Sequence, residues 1–316
     1  PAGSAEFEVH VPVLVIGAGA CGCTAALAAR DAGAEVLVLE RDPVPSGSTA
    51  MSSGMIPACG TQLQRAAGIE DSIEIMAADI QSKARGEADP AIVEALCRAS
   101  GPTIDWLAAA KGIPLALVEG FLYPGHSRLR MHAPPSKTGK DLIGSLNQAV
   151  QRAGVDIVTG ARVEALYAGD NGQVTGAALV RQGGAEETIG CGALILACNG
   201  FGGDPDMVRR CIPTMAGATY FGHAGNTGDA VRWGQALGAA TRHLGAFQGH
   251  GSLATPHNTL ITWALMMEGG IQVNAEGRRF SNEHLGYSEQ AAIVRAQPGG
   301  VAWNLYDARL HALGQT

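Results

Sequence analysis

The chain has 316 residues, with 22 Lys and Arg against 29 Asp and Glu and a formal charge of −7. That sign opposes nucleic-acid binding by bulk electrostatics, and 46% hydrophobic residues with only 16% charged exclude a disordered chain. Length predicts about two domains, and 44 glycines without a Gly-X-Y period predict many tight turns.

No apolar run reaches the roughly 18 residues that cross a bilayer, and residues 1–10 lack a basic stretch followed by an apolar one. The expectation is a cytoplasmic protein without a membrane span. Seven cysteines, odd in number and scattered, predict reduced thiols, mostly buried, and no metal centre.

Residues 11–16 read as a strand buried on both faces, 23–31 as a helix and 35–40 as a second strand, which together form a βαβ unit. Between the first strand and the helix lies Gly17-Ala-Gly19-Ala-Cys-Gly22, and Glu40 ends the second strand. In that context the glycines predict a dinucleotide site. Gly17 permits the turn, Gly19 admits a pyrophosphate to backbone amides, Gly22 lets helix and strand approach, and Glu40 accepts from a ribose. The next loop, from Arg41 to Gly54, is crowded with small residues and hydroxyls. It suits a cofactor with more phosphate and ribityl oxygens than a nicotinamide dinucleotide has, so FAD is expected ahead of NAD.

Helices are predicted over 71–84, 90–111 and 141–153. Short strands follow at 156–159, 161–167, 174–180 and 187–189, a meander, and then another buried strand at 193–197 that ends in glycines. Composition turns rich in His, Met and Trp near Leu244, which predicts domains at 1–244 and 245–316.

Six blocks then acquire a common meaning: GAGACG at 17–22 with Glu40, SGSTAMSSG at 46–54, LILACNG at 194–200, GNTGDA at 225–230, FQGH at 247–250 and GGIQVNAEGRRFSNE at 269–283. Over almost its whole length the chain resembles the fumarate reductase and succinate dehydrogenase flavoprotein superfamily, which includes urocanate reductase and the 3-ketosteroid dehydrogenases. The resemblance implies an α/β fold: a Rossmann-like FAD-binding domain with a β-meander insertion, and an α+β capping domain that forms the substrate site. It implies FAD contacts from Gly17, Gly19, Gly22, Glu40, Arg41, Ser48, Thr49, Gly54, Val163, Ala197 and Asp229. The covalent flavin of succinate dehydrogenases hangs from a histidine in the loop after the ribose-binding acid. This loop has none, so the resemblance implies noncovalent FAD.

Aligned on Asn274, Arg279, Phe280 and Glu283, the substrate-binding histidine and threonine of fumarate reductases fall on His250 and Thr262. Their relay glutamate and arginine fall on Trp263 and Met266, and the proton-delivering arginine falls on Tyr287. These replacements remove the relay and much of the positive field that a dicarboxylate needs. Ketosteroid dehydrogenases resemble this chain in carrying a tyrosine shortly after the Arg-Phe-x-Asn-Glu block, where it exchanges a proton with the carbon next to a ketone. The implied reaction is hydride exchange with flavin N5 at a CH–CH or C=C pair beside a carbonyl, on a 3-ketosteroid or other enone, with Tyr287 as proton carrier. A tyrosine of ordinary pKa, near 10, suffices only because the carbonyl acidifies the C–H. Tyr123 resembles a second active-site tyrosine, and Trp263 and Met266 would make the site bulky and apolar.

Each assignment has a plainer alternative. Tyr287 can pack at a helix start, His250 can bond a neighbour, and Trp263, Met266 and Met267 can be core. His250 and Thr262 keep a small unsaturated carboxylate open as substrate, and loss of the relay keeps a non-catalytic flavin-binding subunit open. A nicotinamide-dependent enzyme is disfavoured by the second glycine-rich block at 197–203. The expected partners are a small-molecule substrate and an electron donor or acceptor. Arg128, Arg130, Lys137 and Lys140 read as a solvated face, and His126 and His132 as structural. Nothing after Leu310 resembles the family's returning glycine-rich block, so the expectation is a chain that ends inside the capping domain.

Overall fold

The computed structural model describes residues 6–120 and 122–314, so Pro1 to Ala5, part of the N-terminal stretch read above, and Phe121 beside Tyr123 lie outside the described residues. The chain separates into two compact units, residues 1–200 with 222–240 and residues 201–221 with 241–316. The expected division at 244 differs from this one chiefly at 201–221, which group with the second unit.

The first unit opens with β1 (His10–Ile16), α1 (Ala20–Asp31) and β2 (Val36–Leu39). The apolar run of β1 has no polar alternation because both faces are covered. Val15 packs into the cluster that holds α1, while Leu14 and Ile16 point into a second cluster on the opposite face. There follow α2 (Gly47–Met51), β3 (Ile56–Pro57), α3 (Gln62–Ala66), α4 (Ile73–Lys83) and α5 (Pro90–Ala109), then β4 (Ala116–Leu117), β5 (Met131–Ala133) and α6 (Gly139–Arg152). Helix starts follow side-chain chemistry. Ser72 accepts from Ile75 N, Asp89 from Ala91 N ahead of Pro90, and Thr138 from Asp141 N. The loop expected over 41–54 therefore contains a short helix, α2, which the run of Gly, Ser and Thr hid.

The remaining strands are β6 (Asp156–Val158), β7 (Ala161–Ala168), β8 (Val174–Arg181) and β9 (Glu186–Leu196). The sheet runs β6-β2-β1-β9-β8-β7, with β6, β2, β1 and β9 parallel and β8 and β7 antiparallel. The two strands expected at 187–189 and 193–197 are one strand of 11 residues. Its first half pairs with β8 and its second with β1, and Gly190 belongs to both ladders. Gly190 and Gly192 lie in the gap between the two predicted strands. A Cβ at Gly190 would meet the rings of His10 and Phe7 at 2.7 and 2.8 Å, so the glycine admits those rings over a continuous strand.

One surface assignment is overturned. Arg130 is only 1% exposed, its guanidinium bidentate on Asp71 at 2.9 and 3.0 Å and 2.6 Å from Asp79 of α4. A basic residue in a cluster looks solvated until its acidic partners, 50 to 60 positions away in sequence, are folded against it.

The chain continues with α7 (Pro205–Cys211) in the second unit and α8 (Asp229–Ala236) in the first. The second unit is completed by β10 (Leu253–Ala254), β11 (Thr259–Leu260), α9 (Ala264–Met267), β12 (Ile271–Val273), α10 (Tyr287–Arg295), β13 (Trp303–Leu305) and α11 (Ala308–Leu313). Among the described residues no helix is long and apolar enough to cross a membrane. Cys23, Cys59, Cys97 and Cys191 are buried free thiols.

Candidate functional site

At the carboxyl ends of β1 and β2 the first unit encloses a cavity of about 450 Å³. Its lining includes Gly17, Gly19, Glu40, Arg41, Ser48, Thr49, Val163, Ala197 and Asp229. The glycines have distinct reasons. A Cβ on Gly17, whose φ is +103°, would lie 2.5 Å from the Ala197 carbonyl oxygen, and one on Gly22 only 1.8 Å from that of Gly17. Both are demanded by backbone packing. Gly19 is different, because its Cβ would have Thr49 Oγ1 at 3.5 Å as nearest neighbour and would otherwise project into the cavity. Only something that occupies the cavity requires that position to be bare.

The polar groups around Gly19 fit a diphosphate and a ribose. The first turn of α1 leaves amide N–H groups without intrahelical acceptors, and Gly19 as N-cap offers no side chain to cover them. Thr49 Oγ1 accepts from Ala20 N at 3.1 Å, which brings the hydroxyl loop to that turn. The Glu40 carboxylate accepts from Ala18 N through Oε2 and from Asp42 N through Oε1, and these bonds orient it beside the cavity. Ser48 Oγ accepts from Asn226 Nδ2 at 2.8 Å, and Arg41 Nη1 donates to the Gly225 carbonyl at 2.9 Å. Asp229 accepts from Thr227 Oγ1 at 3.0 Å and pairs with Arg232 at 2.6 Å. These residues fit FAD.

Two expected FAD contacts do not line the cavity. Gly22 acts in helix–strand packing, and Gly54 is bare because a Cβ would lie 2.7 Å from the Thr138 carbonyl oxygen at the start of α6. Asp42, His223, Asn226 and Trp233 line it as well and escaped notice in the sequence, since only the returning segment 222–240 brings three of them there. Cys23, on α1, is pushed up to about 12 by burial and by Glu40, so its thiol is inert. Tyr123 lies elsewhere in this unit, its Oη 2.9 Å from Met55 Sδ.

The second unit assembles the other candidates. His250 lies between Gly249 and Gly251, in a loop pressed against α10: a Cβ on Gly249 would meet Ala291 Cβ at 2.4 Å, and one on Gly251 would meet Gln290 Cβ at 2.7 Å. Gly249 N donates to Ser288 Oγ, Gly251 N donates to the Tyr287 carbonyl, and Gln272 Nε2 donates to the Gly251 carbonyl. The result is a His250 ring stacked on the Tyr287 ring, with centroids 5.3 Å apart and planes at 24°. Gln248 Nε2 donates to Tyr287 Oη at 3.0 Å. His250 Nδ1 accepts from Ser252 N at 3.2 Å, which leaves Nε2 to carry the proton of the neutral ring. Burial lowers the His250 pKa and favours that neutral form.

Trp263 is 6% and Met266 1% exposed, and both pack with Leu265 and Leu310 in a core that Tyr287 borders. They support the site from behind rather than forming an open wall. Trp263 also sets its ring edge-on to His250 at 5.8 Å. Thr262 is exposed, its Oγ1 accepting from Ala264 N at 3.4 Å. Arg279 is held by the buried Glu283, which also accepts from Gln272 N.

Comparison with known proteins agrees with this anatomy. The profile described as an FAD binding domain matches residues 12–306. A probable fumarate reductase of Shewanella frigidimarina is 30% identical over 302 residues, which cover 95% of this chain and 51% of the relative. The chain thus spans about half the length of that relative. The open conformation of a flavocytochrome c3 fumarate reductase superposes with a TM-score of 0.86 at 29% identity, covering 98% of this chain and 55% of that one. A 3-ketosteroid dehydrogenase of Rhodococcus jostii shares the fold, with a TM-score of 0.79 at 24% identity over 98% of this chain and 69% of that one. With its glycine cradle and a match that runs over residues 12–306, the chain belongs to the FAD binding domain family, within the fumarate reductase and succinate dehydrogenase flavoprotein superfamily.

Proposed function

We propose that the whole protein is an oxidoreductase with noncovalent FAD that acts on a CH–CH or C=C pair beside a carbonyl, with a 3-ketosteroid or related enone as substrate class. The observation that supports this reading is the neutral cluster of Tyr287, Gln248 and His250, backed by Trp263 and Met266 where a dicarboxylate reductase would need charge. FAD, when bound, supplies the donor or acceptor of a hydride. Gln248 occupies one lone pair of Tyr287 Oη, which leaves the phenolic proton to point elsewhere, toward the carbon next to the carbonyl. His250 Nε2–H is a donor for the carbonyl oxygen, whose charge grows as the enolate forms. Fixed positive charge for two carboxylates is poor here, since Arg278 and Arg279 are engaged by Glu276 and Glu283. Turnover also needs an electron donor or acceptor, and the buried free thiols fit a cytoplasmic setting.

The test is to reduce the flavin anaerobically with light and to add acceptors singly. An enone steroid is expected to restore the oxidised flavin band, and fumarate and urocanate are not. The reverse outcome favours a small unsaturated carboxylate, the reading that the fumarate reductase relative supports. Tyr287→Phe is expected to retain flavin and lose about two to four orders of magnitude in turnover; unchanged turnover removes Tyr287 from the chemistry.

A further inference from the structure

Two aromatic side chains line the first unit's cavity, His223 and Trp233. His223 is engaged on both ring nitrogens, with Nε2 2.7 Å from Asp42 Oδ2 and Nδ1 accepting from Gly225 N at 3.1 Å. Trp233 sits one helical turn beyond Asp229 on α8, so the two share a face of that helix.

The direction of a dinucleotide through the cavity follows from its walls. The diphosphate belongs at the bare face of Gly19 and the first turn of α1, and a ribose belongs at Glu40. Past Glu40 the wall is β7, because Ala161 N donates to the Glu40 carbonyl at 2.8 Å. Ala161 and Val163 are in the apolar cluster against which Trp233 packs. A nucleobase must lie on the far side of its ribose from the phosphates, and therefore in this corner. A purine presents two apolar π-faces and a polar edge, and a half-buried indole packed on the apolar cluster that includes Val163 matches those faces.

We propose that Trp233, with Val163, forms the adenine-binding wall of the cavity, so that this chain grips FAD by its adenosine end through an aromatic contact. The contact concerns cofactor retention alone and is independent of the substrate.

The experiment titrates the full chain, freed of flavin, with ADP and follows tryptophan fluorescence. ADP is expected to quench the wild-type emission. Trp233→Phe should lose most of that quench while binding ADP within about threefold of wild type, since a ring remains. Trp233→Ala should weaken ADP by about tenfold, the order expected for loss of one base–aromatic contact, and leave riboflavin binding unchanged. Undiminished quenching in Trp233→Phe, or unchanged ADP affinity in a Trp233→Ala chain that keeps its circular dichroism, overturns the proposal. If the alanine variant does not fold, the phenylalanine variant decides. Failure of the wild-type chain to bind ADP overturns both the proposal and the placement of the dinucleotide.

Discussion

Gly19 and Gly22 belong to one motif and are expected to fail in different ways when each is changed to alanine. Gly19 has φ −73°, which alanine adopts without strain, and its added methyl would enter the cavity. Gly19→Ala should therefore keep the melting temperature of the flavin-free chain and lose FAD, as measured by calorimetry and equilibrium dialysis. At Gly22 the methyl meets the Gly17 carbonyl, backbone against backbone, so Gly22→Ala should lose FAD and also about 1–3 kcal/mol of stability. Equal behaviour of the two variants would refute the separation. The sequence spacing identified both glycines, because a strand, a turn and a helix are local. It also assigned them different roles, but the contacts behind those roles, the Gly17 carbonyl against Gly22 and the open cavity against Gly19, are seen only in the folded chain. Tyr287 and His250 were likewise visible as candidates. Gln248 was visible only as a letter in a motif, since its hydrogen bond spans 39 positions.

At the scale of elements, the loop carrying His250 and the first turns of α10 act together, and their fit rests on two glycines. Gly249→Ala would drive the loop off Ala291 and separate the His250 and Tyr287 rings. The expected outcome is lower turnover at unchanged flavin content, measured by steady-state rate against flavin absorbance; equal turnover would show that the stack is dispensable. The ion cluster that ties the segment before β5 to α4 is the other test. Arg130→Ala leaves Asp71 and Asp79 facing a cavity and should cost about 3–5 kcal/mol in denaturant unfolding. A loss below about 1 kcal/mol, the value typical of exposed pairs, would restore the solvated reading. The helices predicted at 71–84, 90–111 and 141–153 match α4, α5 and α6 to within a few residues, while the caps Ser72, Asp89 and Thr138 that start them emerge only in the structure. Periodicity missed α2 and the joining of β9, where small residues serve tertiary contacts rather than local propensity.

For the molecule as a whole, pH dependence follows from groups buried in both units. Burial holds His132 and His250 below the usual histidine range. Their unfolded counterparts take up protons near pH 6.5, so the stability they contribute is full above that value and is lost as pH falls toward the depressed folded values. Burial raises the carboxyls of Asp79 and Glu283, but hydrogen bonds outweigh it and hold both below the usual range: Ser127 and Arg130 act on Asp79, Arg279 and Gln272 on Glu283. Their contribution is present above about pH 4 and is lost below it. The melting temperature is expected to be level between about pH 7 and 8, to fall on acidification in two stages beginning near 6.5 and near 4, and to fall again above about pH 8.5, where unfolded cysteines ionise while the buried Cys23, Cys97 and Cys191 thiols stay protonated. A rise on acidification from neutrality would contradict the histidine assignments. The long strand β9 carries a different consequence. Because it serves the parallel ladder at one end and the antiparallel ladder at the other, neither half of the sheet has a seam of its own along which to part. Amide hydrogens of β1, β9 and β8 should therefore exchange with solvent at a common, slowest rate, set by a single opening event in which the cofactor's scaffold and the meander come apart together.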